Sequence, residues 1–67
     1  MITEAQAREY VTTLLQHFPQ RLSEWEDTFL RDMRIKLDRE EHLSLKQLQK
    51  IDDVMERCAQ QHGRSWG

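Results

Sequence analysis

Glycine and proline are scarce, with two Gly and one Pro in 67 residues. An all-β chain needs turn residues about every 8–12 positions, so that architecture is excluded. A single cysteine cannot staple a fold, which removes the disulfide scaffold and favours a reducing compartment. No apolar run approaches the roughly 18 residues of a membrane span. The opening Met1-Ile2-Thr3-Glu4 lacks the basic and apolar regions of a signal peptide, so a cytoplasmic location is expected. The formal charge of −2 and pI near 5.9 show no basic excess of the kind that advertises nucleic acid. Sixty-seven residues make one domain and leave no room for a doubly wound nucleotide fold, a barrel or a lidded enzyme.

What is present is helical periodicity. Charged residues are 33% and hydrophobic ones 37% of the chain, and they alternate in three- and four-residue steps. The spacing predicts an all-α fold of three helices, at about 4–18, 24–39 and 45–62. Each has its own start signal. Thr3-Glu4-Ala5-Gln6, Ser23-Glu24-Trp25-Glu26 and Ser44-Leu45-Lys46-Gln47 all have the form of a capping box. The first apolar stripe is Ala7, Tyr10, Val11, Leu14, Leu15 and Phe18, and Pro19 ends the run. The second is Trp25, Phe29, Leu30, Met33 and Leu37, with Glu24, Glu26 and Asp27 in its first turns and Arg31, Arg34, Lys36 and Arg39 towards its end, an order that opposes the helix dipole favourably. The third is Leu45, Leu48, Ile51, Val54, Met55, Cys58 and Ala59, with Leu43 placed to staple onto Leu48 and Gly63 suited to the C′ position. Residues 1–63 are expected to form one domain and 64–67 a tail. Short connections predict that helices two and three form an antiparallel hairpin with helix one across its open face. The wide apolar arc of helix three also suits a second copy, giving a homodimer, unless helix one covers it.

Chemistry-bearing clusters are few. Cys58 and His62 share a helix face, but a closed zinc site needs four ligands and no third or fourth is suitably spaced, so no metal is expected. Cys58 lies on the apolar seam and reads as a buried thiol rather than a nucleophile. The paired acids Glu24 and Glu26, Glu40 and Glu41, and Asp52 and Asp53 read as solvated faces, and Asp27–Arg31 and Asp53–Arg57 as ordinary i,i+4 pairs. No phosphate loop, nucleophile elbow or metal motif is present, so neither catalysis nor a cofactor is expected.

Two features suggest binding. On the back of helix two, Ile35 is ringed by Arg31, Arg34 and Arg39, a contact for an acidic protein surface or a phosphate backbone; the plain alternative is dipole complementation with one incidental exposed Ile. In the tail, Trp66 beside Arg64 is a hot-spot pair or a base-stacking pair, unless Trp66 simply folds back.

The stretch Leu22-Ser23-Glu24-Trp25-Glu26, Phe29-Leu30, Leu37, Leu43-Ser44-Leu45-Lys46-Gln47, Ile51 and Arg57 resembles a short capped helical hairpin of small phage and bacterial proteins and of accessory regions in helicase- or primase-like chains. The likeness covers residues 22–57. It implies an interaction module near DNA metabolism and no catalytic residue. The expected function is therefore a small helical adaptor or inhibitor that binds another protein through Arg31, Arg34, Ile35, Arg39 and Trp66. The alternatives are a single-stranded nucleic-acid-binding accessory protein, which would add Lys46 and Lys50, and a structural homodimer.

Overall fold

The computed structural model describes residues 2–63, with side chains through Ala59. Three α-helices follow one another: α1 (Glu4–His17), α2 (Glu24–Asp38) and α3 (Leu45–Gly63). A short 3-10 turn, Pro19–Arg21, joins the first two. The expected boundaries hold to within a residue, and α3 runs through Gly63 rather than stopping before it.

All three capping boxes form. The Thr3 hydroxyl accepts the Gln6 N–H at 3.2 Å, and the Gln6 amide oxygen accepts the Thr3 N–H at 3.0 Å. Ser23 with Glu26 and Ser44 with Gln47 repeat the exchange at 2.8–3.1 Å. Each box satisfies a backbone donor that the first helical turn leaves without an intrahelical partner.

The core is a single cluster. Ala7, Val11 and Leu14 of α1, Leu30, Met33 and Leu37 of α2, and Leu48, Ile51, Val54 and Cys58 of α3 are all buried, joined by Ile2 and Leu43. Helix α1 is the common partner and lies against both α2 and α3, whose backbones approach each other far less. Of the α3 stripe, Leu48, Ile51, Val54 and Cys58 are buried within the chain, Met55 and Ala59 are half-buried, and Leu45 is exposed.

Polar ties fasten α1 to the α2–α3 connection. The Arg8 guanidinium donates to the Leu37 carbonyl and pairs with Asp38 at 3.0 Å. One turn earlier, the Glu4 carboxylate accepts the Leu43 backbone N–H at 2.7 Å and lies 3.1 Å from His42 Nδ1. At the opposite end of the molecule Arg57 of α3 pairs with Glu26 of α2 and donates to the Arg21 carbonyl. Arg57 therefore bridges between elements instead of making the expected pair with Asp53, whose carboxylate accepts from Gln49.

Helix α2 ends in a Schellman arrangement. The Glu41 N–H reaches the Lys36 carbonyl at 2.9 Å and the Glu40 N–H reaches Leu37 at 3.0 Å. Glu40 sits at φ 59°, the left-handed position that normally takes glycine.

Two side chains expected in the core are outside it. Trp25 is 60% exposed and Leu45 is 67% exposed. Both sit in the first turn of a helix, and at about 100° per residue each lies roughly 110–125° around the wheel from the centre of that helix's buried arc. Ile35 is 54% exposed, as its position on the wheel predicts.

Candidate partner-binding surface

Leu30, Met33 and Leu37 point α2 at the core, so its opposite face is fixed towards solvent. That outer face carries a shallow groove of about 390 Å³ lined by Trp25, Thr28, Phe29, Arg31, Asp32 and Ile35. Two of the three large hydrophobic side chains exposed among the described residues, Trp25 and Ile35, stand at its two ends.

The aromatic end is held in place. The Trp25 and Phe29 rings stack with centroids 5.2 Å apart and planes 7° from parallel. Phe29 is half-buried against the core, so it anchors the stack. From α3, Lys50 Nζ lies 5.2 Å from the Trp25 ring centroid, within range of a cation–π contact. An exposed tryptophan gripped from both sides loses little freedom on binding.

The arginines predicted to surround Ile35 do not act as one set. Arg31 lines the groove, and its Nε is 3.0 Å from Asp27. Arg34 lies on the flank nearest α1, bordering a cavity of about 110 Å³ with Arg8, Val11, Thr12, Leu37 and Asp38. Arg39 stands past the end of the helix, 3.8 Å from Glu41. Trp66 lies outside the described residues, as does the side chain of His62. Sequence reading put Trp25 and Phe29 on the core stripe and counted Lys50 only for the nucleic-acid alternative. The available signal was angular: Leu30, Met33 and Leu37 define a narrower buried arc, and at about 100° per residue Trp25 falls about 80° outside it.

Three titratable groups are perturbed by their surroundings. Burial pushes the Cys58 thiol up, against the lowering effect of the Arg57 charge, and a thiol kept protonated is a poor nucleophile. Burial also opposes ionisation of Glu26, but the Ser23 backbone N–H and the Arg57 charge outweigh it and hold the carboxyl below the ordinary range. Glu4 is lowered mainly by the Leu43 N–H and then by His42. Among the described residues no three His, Cys, Asp or Glu side chains converge as metal ligands.

Comparison with known proteins finds no matching family model, no matching curated protein and no matching solved structure. The functional reading therefore rests on the groove itself.

Proposed function

We propose that this chain is a small non-catalytic adaptor or inhibitor that acts by occupying a surface of another protein, using the outer face of α2. The observation that carries this reading is Trp25, exposed and yet ordered between Phe29 and Lys50 at one end of a groove that Ile35 closes at the other. Tryptophan is the residue type most enriched among binding hot spots, and a flat apolar groove with a polar rim is the ordinary anatomy of a protein contact. The resemblance to capped hairpins of phage and bacterial DNA-processing proteins supports a setting in DNA metabolism.

The nucleic-acid reading is the weaker one. Arg31 and Arg39 are each drawn to a carboxylate, so neither is free to neutralise a phosphate without first giving up a partner.

The test has two steps. The wild-type chain and the double variant Trp25→Ala/Ile35→Glu serve as baits in a host lysate, and the protein retained by the first alone is purified. It is then titrated into isotope-labelled chain. The resonances of Trp25, Thr28, Phe29 and Ile35 should move first and furthest. Equal retention by both baits, or perturbations confined to α1 and α3, would sink the proposal.

A further inference from the structure

We draw no further inference here: the strongest candidate, the apolar groove between Trp25 and Ile35 on the outer face of α2, belongs to the site already described, and nothing in the structure shows what covers it.

Discussion

Arg57, late in α3, reaches across to Glu26 in the first turn of α2, and Glu26 simultaneously accepts the Ser23 backbone N–H. One carboxylate thus completes a helix cap and ties two helices together at the end of the molecule opposite their connection. Glu26→Gln keeps an oxygen for the cap and removes the charge; Glu26→Ala removes both. The first should destabilise by about 0.5–1 kcal/mol and the second by about 1–2 kcal/mol in denaturant titrations. Equal losses would mean that the cap contributes nothing.

Acid should unfold the protein through Glu4 and Glu26. Both carboxyls are held below the ordinary glutamate range of about 4.3 in the folded chain. A group with a depressed folded value contributes stability that is present above its unfolded value and is lost as pH falls through the folded one. The melting temperature should therefore hold steady above about pH 5 and drop below about pH 4. Glu4→Gln should flatten part of that drop, because the Leu43 N–H loses its charged acceptor at every pH. An identical acid limb in wild type and Glu4→Gln would contradict the assignment.

Trp25 and Ile51 separate surface from core. Both recur at helical spacing in apolar stripes, but Ile51 is fully buried and Trp25 is mostly exposed. Ile51→Ala should lose about 2–5 kcal/mol through lost transfer energy and a residual cavity. Trp25→Ala should lose under about 1 kcal/mol, the worth of its ring stack and the Lys50 contact. A larger loss at position 25 would place Trp25 among the core residues and remove the groove's anchor.

Glu40 occupies a backbone position that suits glycine. Glu40→Gly relieves a left-handed φ at the C′ site of α2 and should stabilise by about 0.5–1 kcal/mol, read as a rise in the denaturant midpoint. The gain is limited because glycine also frees the unfolded chain.

Cys58 should react with a disulfide reagent only when the fold opens. Its side chain is fully buried and its thiol is biased towards the protonated form. The native rate should rise with denaturant in step with unfolding, and immediate reaction in native buffer would refute the burial.

The helices themselves were legible because their determinants are local. Thr3, Ser23 and Ser44 each cap a first turn with a residue three positions on, and Pro19 ends α1, so boundaries needed no knowledge of the neighbours. The candidate site was legible only in part. Ile35 was placed correctly on the outer face because it stands opposite Leu30, Met33 and Leu37, a relation within one helix. Its arginine ring was not: Arg34 borders a cavity shared with Arg8 and Asp38, and Arg39 lies 3.8 Å from Glu41, placements that depend on α1 and on the turn after α2.

Sequence alone thus determined three capped helices and the stripe each presents, since backbone hydrogen bonds and side-chain period act within a few residues. Tertiary structure alone decided that α1 is the shared partner, that Arg57 reaches Glu26 rather than Asp53, and that Lys50 lies beside Trp25. Those outcomes depend on which residues of separate helices are brought together, and periodicity within one helix carries no record of that.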